Sequence, residues 1–232
     1  MTTNTKKITK QKKTSKYILQ PCPMPAGVCL QTLKKYVDDD IKANEEFFDN
    51  MQMSYRISSP TKAEWILNKA IAGGKMVGGG SNHIDIVSDK IGIDVSVLTL
   101  GKGEFTNEKS IMQNFSKSGN LDSMFNNEKG DKAVRVFQKQ LKKKYETDDI
   151  EEFLYIIFIC HQKNIYLTCL KLYPANIPNM KFVEFSKSGK TIIVGNFIKS
   201  TYGNTKLYKS KKRLELRLCK DIIDSEFSTK IY

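Results

Sequence analysis

The stretch His83-Ile84-Asp85-Ile86-Val87-Ser88-Asp89-Lys90-Ile91-Gly92-Ile93-Asp94-Val95-Ser96-Val97-Leu98 decides how the chain is read. Apolar residues alternate on both sides of Ser88-Asp89-Lys90, the pattern of two strands joined by a turn. A two-residue connection at Asp89-Lys90 sets Ser88 opposite Ile91. Counting outward then sets Asp85 opposite Asp94. A four-residue loop gives the same pairing, and a three-residue loop destroys it. Opposed residues of an antiparallel pair share a face. Side chains alternate with period two, so Ser96 shares that face with Asp94. Aspartate is depleted in strands and costs desolvation energy unless it has a partner. Two carboxylates on one face repel unless a cation or a proton stands between them. The hairpin therefore predicts that Asp85 and Asp94 converge as ligands for a hard cation, Mg²⁺, with Mn²⁺ as its substitute. The competing reading is a structural ion-pair set with Lys90.

Working outward, Ser59 and Pro60 mark a helix start, an N-cap followed by proline in the first turn. That helix carries Glu64, Trp65 and Ile66 and runs to about Ile71. Val28, Leu30, Leu33, Val37, Ile41 and Phe48 predict helical structure over residues 26–52. Gly73, Gly74, Gly78, Gly79 and Gly80 break regular structure before the hairpin, and they lack the G-x-x-x-x-G-K-[ST] phosphate-loop pattern. Past the hairpin, residues 106–117 predict a helix with Thr106 as N-cap. A further helix is expected at 131–146, with Val134, Phe137 and Leu141 inward and Lys142, Lys143 and Lys144 complementing its dipole. Strands follow at Phe153–Cys160, Ile165–Leu172, Phe182–Phe185, Thr191–Ile198 and Leu214–Cys219, with turns at Gln162-Lys163 and Ser188-Gly189. The order implies an α/β (α+β) domain with a central mixed sheet flanked by helices.

The net charge is +13, from 38 basic and 25 acidic residues among 232. Residues 1–16 hold six lysines and no acid. Residues 199–220 hold Lys199, Lys206, Lys209, Lys211, Lys212, Arg213, Arg217 and Lys220 against Glu215 alone. These two segments account for the whole excess, so a neutral body carries two basic patches suited to a polyanion. Phe197, Tyr202 and Tyr208 lie among the second set and suit either base stacking or sheet packing. Residues 1–20 read as a disordered tail, and Pro21, Pro23 and Pro25 as an extended linker, leaving 26–232 as one domain with a basic, β-rich C-terminal region. The five cysteines, Cys22, Cys29, Cys160, Cys169 and Cys219, form no C-x-x-C pair, which speaks against a zinc site or a disulfide framework. The longest apolar run, Phe153–Cys160, is eight residues long, against ~18 for a membrane span. No apolar signal segment stands near Met1, so the expectation is an intracellular, cytoplasmic protein.

The hairpin with its upstream helix resembles the PD-(D/E)xK nuclease superfamily, particularly type II restriction endonucleases, over about residues 60–117. Glu64 matches the family's helical Glu, Asp85 its first Asp, and Asp94 the acidic member of the acidic-x-Lys triplet. The resemblance implies a restriction-endonuclease-like core and Mg²⁺-dependent, sequence-specific hydrolysis of double-stranded DNA by a homodimer. Two departures stand out. His83-Ile84 precedes Asp85 where Pro is expected, and Ser96 stands where the triplet has Lys. The family's Lys orients or deprotonates the attacking water and balances phosphate charge. Lys102 and Lys109 are the candidate replacements, and Gln113 is a further polar candidate. Strand parity favours Lys102. His83, Lys199, Lys209, Lys211, Lys212, Arg213 and Arg217 are the expected nucleic-acid contacts. The alternative is a nuclease fold that has lost activity and only binds DNA or RNA.

Overall fold

The computed structural model describes residues 15–77, 84–101, 103–112, 130–147, 149–208 and 213–232. The first elements are β1 (Leu19–Cys22), α1 (Leu30–Lys42), α2 (Glu45–Asn50) and α3 (Pro60–Ala70). Next come β2 (Lys75–Met76), β3 (Ile86–Ser88), β4 (Ile91–Thr99), β5 (Lys109–Met112) and α4 (Gly130–Tyr145). The remainder is β6 (Glu152–His161), β7 (Asn164–Leu172), β8 (Lys181–Phe185), β9 (Thr191–Gly195), β10 (Gly203–Tyr208), β11 (Arg213–Leu218) and β12 (Ser228–Lys230). Two short 3₁₀ turns, Pro174–Asn179 and Lys220–Ile222, complete it.

The central sheet has seven strands in the order β1-β7-β6-β4-β3-β2, with β12 also on β7. β4 and β6 run parallel and the other pairs antiparallel, so the sheet is mixed, as the sequence predicts. β6 is buried from Phe153 to Cys160, the continuous apolar run expected of a strand covered on both faces. On one face, Leu154, Ile156, Phe158 and Cys160 pack with α1 and α3 through Leu33, Val37, Ile41, Ile66 and Leu67. On the other, Phe153, Tyr155, Ile157 and Ile159 pack with α4 and with a second sheet through Phe137, Leu141, Leu207, Leu214 and Leu216.

That second sheet is an addition to the sequence reading. It is antiparallel, in the order β5-β11-β10-β9-β8. β10 was not anticipated as a strand, because its Lys and Asn residues mask a buried row of Gly203, Thr205 and Leu207.

Three local expectations are corrected. The helix expected over 26–52 is two helices, α1 and α2. Asn44 separates them, and its side-chain amide donates to the Asp40 carbonyl at 2.7 Å, the kind of local bond that competes with helix continuation. The helix expected at 106–117 is instead strand β5, with residues 113–117 outside the described set. Thr106 does not cap a helix: its N–H donates to the Leu218 carbonyl and its Oγ accepts from the Leu218 N–H. Pairing with β11 thus overrides local helical preference. Finally, the tail and linker over 1–25 include folded structure. Ile18 and Leu19 are fully buried, and Leu19–Cys22 pairs with β7 from Leu172 to Cys169. Pro21 is tolerated because β1 is an edge strand.

The start of α3 appears as expected. Ser59 caps α3, accepting from the Lys62 N–H at 3.0 Å. Asp40 on α1 receives both the N–H and the hydroxyl of Ser58 at 2.8 Å, which fixes the approach to α3. The edge of β7 has an unusual construction. β1 covers Cys169–Leu172 and β12 covers Tyr166–Thr168, in the same direction. Cys22 and Ser228 thus occupy adjacent positions along one interrupted strand. Among the described residues, no helix is long and apolar enough to cross a membrane.

Candidate active site

The β3–β4 turn is the two-residue Asp89-Lys90 connection, with Asp89 in the left-handed region at φ 50°. The register is Ser88↔Ile91, Val87↔Gly92 and Ile86↔Ile93, which brings Asp85 level with Asp94. The regular ladder stops at Ile86. Asp85 donates its N–H to the Ile93 carbonyl at 2.8 Å, and its Oδ2 accepts the Val95 N–H at 2.7 Å. A carboxylate therefore takes the place of a strand carbonyl, which fixes its orientation beside Asp94. Lys90 pairs with Glu151 across the turn, so it is not the partner of the aspartates.

Asp94 and Ser96 point toward the second sheet and α4, while Ile93 and Val95 point into the α1–α3 core. Asp94 Oδ1 lies 2.5 Å from Nζ of Lys109. The same ammonium donates to Ser96 Oγ, which lies 3.4 Å from Asp94 Oδ1. Lys109 is 7% exposed and its ammonium sits 5.1 Å from the Tyr155 ring centre. It comes from β5, opposite Leu216 of β11, on the inward row of the second sheet. Lys102, favoured by strand parity, lies outside the described residues, as do His83 and Gln113.

Glu64 approaches from α3. Burial raises its pKa, and the charges of Asp85 and Asp94 raise it further. Burial also raises Asp85, with Asp94 adding to the shift, while the Val95 N–H and Lys109 oppose it. The three carboxylates thus feel one another's field. Sequence reasoning missed Lys144 of α4, whose ammonium donates to the Ile111 carbonyl of β5 at 2.6 Å. Burial pushes its pKa down to about 8, Asp94 pulls it up, and Lys109 pushes it down. Lys144 stands three residues after Leu141 and seven after Phe137, spacings that put it on the buried face. Behind the pair, the hydroxyls of Tyr145 and Tyr155 are hydrogen-bonded to each other. Burial raises both phenols, which keeps them neutral.

The expected nucleic-acid contacts are scattered. Lys209, Lys211 and Lys212 lie outside the described residues. Lys199 is exposed, with its ammonium 5.7 Å from the Tyr202 ring centre. Arg213 pairs with Tyr208 in the β10–β11 ladder. Arg217 is engaged internally, 2.5 Å from Glu108, which also accepts from the Tyr208 hydroxyl. Phe197 is fully buried and does not stack on bases. For Phe197 the structure selects sheet packing, one of the two readings its strand position left open.

Among the described residues, no group of three or more His, Cys, Asp or Glu side chains forms a ready metal cage. Asp85 Oδ1 and Asp94 Oδ2 accept no hydrogen bond among those residues. Two carboxylate oxygens suit Mg²⁺, which keeps several waters and takes one or two protein carboxylates. Comparison with family models, curated proteins and solved structures returns no match.

Proposed function

We propose that the protein is a metal-dependent endonuclease acting on double-stranded DNA, built on a PD-(D/E)xK-like plan in which the lysine has moved. The observation that carries this reading is Lys109. Its ammonium contacts both Asp94 Oδ1 and Ser96 Oγ, where a lysine at position 96 would deliver its own charge. The missing element of the triplet is thus supplied from another strand. This favours an active enzyme over a decayed one.

The residues divide the work. Asp85 and Asp94 would hold the Mg²⁺, whose chemistry is to polarise the phosphate and lower the pKa of the attacking water. Lys109 donates toward the attacking water and offsets charge gathering on the phosphate oxygens. Its burial between two sheets removes competing water, which strengthens that interaction. Ser96 accepts from Lys109 and fixes its direction. Glu64, a stronger base than a free carboxylate because burial and two aspartates raise it, is the group suited to take up a proton. Tyr145 and Tyr155 stay neutral and close the floor of the site. Residues 1–16 and the β10–β11 hairpin, with Lys209, Lys211 and Lys212 between its strands, supply the charge for phosphate contacts. Sequence specificity and a homodimer matching palindromic sites belong to the same proposal.

Incubation of the protein with a defined genome in Mg²⁺ or Mn²⁺ tests it. Discrete bands, abolished by EDTA, are expected. Intact DNA in both metals overturns the nuclease reading, and salt-sensitive DNA binding without cleavage selects the inactive alternative.

A further inference from the structure

Cys22 and Cys169 occupy directly opposed positions in the β1–β7 ladder. Their sulfurs are 3.4 Å apart, and the Cys22 thiol donates to Cys169. Opposed residues of an antiparallel pair have Cα atoms about 4.5–5.5 Å apart, inside the roughly 4.4–6.8 Å range that a disulfide spans. The two sulfurs therefore need to approach only a little further, with no shift of the strands. Cys22 is half-buried and Cys169 fully buried, so a reagent in solution meets Cys22 first. The remaining cysteines differ in setting: Cys29 is exposed and bonded to Thr32, Cys160 is buried, and Cys219 is half-buried beside β11.

We propose that Cys22 and Cys169 form a reversible disulfide that clamps β1 onto the edge of the central sheet. The partner is a small-molecule disulfide of the glutathione type. The Cys22 thiolate attacks one sulfur of that disulfide, forming a mixed disulfide and releasing one thiolate. Cys169 then loses its proton and attacks the Cys22 sulfur, expelling the second thiolate. Two protein thiols are oxidised and one external disulfide is reduced to two thiols. The thiols are arranged for this order. Once Cys22 gives up its proton the shared hydrogen bond runs from the Cys169 thiol to the Cys22 sulfur. That bond first, then the nearby Lys171 charge, favours the Cys22 thiolate against burial and the Glu152 charge, and the same bond and burial hold Cys169 protonated. Low thiolate pKa at the attacking sulfur is what directs exchange. The clamp joins positions 147 apart in sequence, and so restrains a large loop of the unfolded chain. It also pins the strand that follows the basic N-terminal segment, so that segment keeps a fixed origin when the sheet edge would otherwise fray. The inference is independent of the nuclease reading.

The full chain is treated with oxidised glutathione, alkylated and mapped by mass spectrometry, alongside Cys22→Ser, Cys169→Ser and Cys29→Ser. The expected product has lost the mass of two hydrogens and yields a linked Cys22–Cys169 peptide pair. Dithiothreitol reverses it. Its Tm lies roughly 5–10 °C above that of the reduced chain. Cys29→Ser retains the link and Cys22→Ser loses it; Cys22 is only half-buried, so that variant tests the idea even if Cys169→Ser fails to fold. A stable glutathione adduct on Cys22 that never resolves, a link between other cysteines, or an unchanged Tm in the linked species each overturns the proposal.

Discussion

Replacing Lys109 with methionine keeps most of the side chain's stem and removes its charge. Two unit charges 2.5 Å apart attract by about 6–7 kcal/mol at an effective dielectric near 20. Desolvation of both groups cancels much of that. The loss on removing one partner is set by the charge left behind. Asp94 is 19% exposed and retains some water, so Lys109→Met should lower stability by about 3 kcal/mol, the lower end for a broken buried pair. Urea unfolding measures this. Cleavage should fall about 10²–10³-fold, the usual cost of removing one preorganised donor from a developing charge. The informative arm is the swap. Ser96→Lys combined with Lys109→Met returns a lysine to the triplet position on the same face. It should recover at least a tenth of the wild-type rate, roughly, if the ammonium and not the strand of origin matters. Initial rates on a supercoiled plasmid read both. Wild-type turnover in Lys109→Met refutes the assignment. A swap that stays as slow as Lys109→Met, while folding normally, shows that Lys109 acts through β5 and not through its charge.

Asp94→Ala should abolish cleavage while DNA binding in metal-free buffer holds or tightens, since a ligand and a charge that repels phosphate are both lost; fluorescence anisotropy in EDTA separates the two effects. Lys144 gives a pH signature. Its folded pKa of about 8 lies below the unfolded value of 10.5, so the fold binds fewer protons at this site. The charged form is a cost below pH 8, and that cost disappears as pH rises toward 10.5. Lys144→Met carries no such cost, so wild type should gain about 3 kcal/mol relative to it between pH 7 and pH 10.5 in paired urea titrations; parallel pH curves would contradict the buried ammonium. Deleting residues 1–14 should leave the Tm unchanged and flatten the salt dependence of DNA binding. The cut stops there because the Ser15 carbonyl accepts from Asn176, and the Lys16 carbonyl from Asn179; an unchanged salt slope means that the tail does not touch DNA.

The hairpin was legible because its information is local. Strand period and a two-residue turn were enough to put Asp85 level with Asp94, and the register agrees. The capped start of α3 was equally local. What the sequence hid was set by partners distant along the chain. Residues 109–112 became a strand because β11, a hundred residues later, offered an edge. With a helix expected there, sequence alone does not fix the reach of Lys109, and strand parity favours Lys102, which lies outside the described residues. Lys144 was overlooked for a different reason. A run of three lysines at a helix end suits the dipole, and that general account concealed the one whose helical phase points inward.

The interrupted strand on the edge of β7 sets an order of assembly. β1 is made early, yet it can settle only after residues 169–172 exist. The rest of that edge then stays open until residues 228–230 have left the ribosome. Throughout synthesis of the intervening stretch, Tyr166–Thr168 present unpaired backbone groups of the kind that recruit foreign strands. Closure of this edge therefore waits on a segment some sixty residues further along the chain. A chain stopped short of Ser228 would carry an adhesive margin, one that a protein quality-control system can recognise.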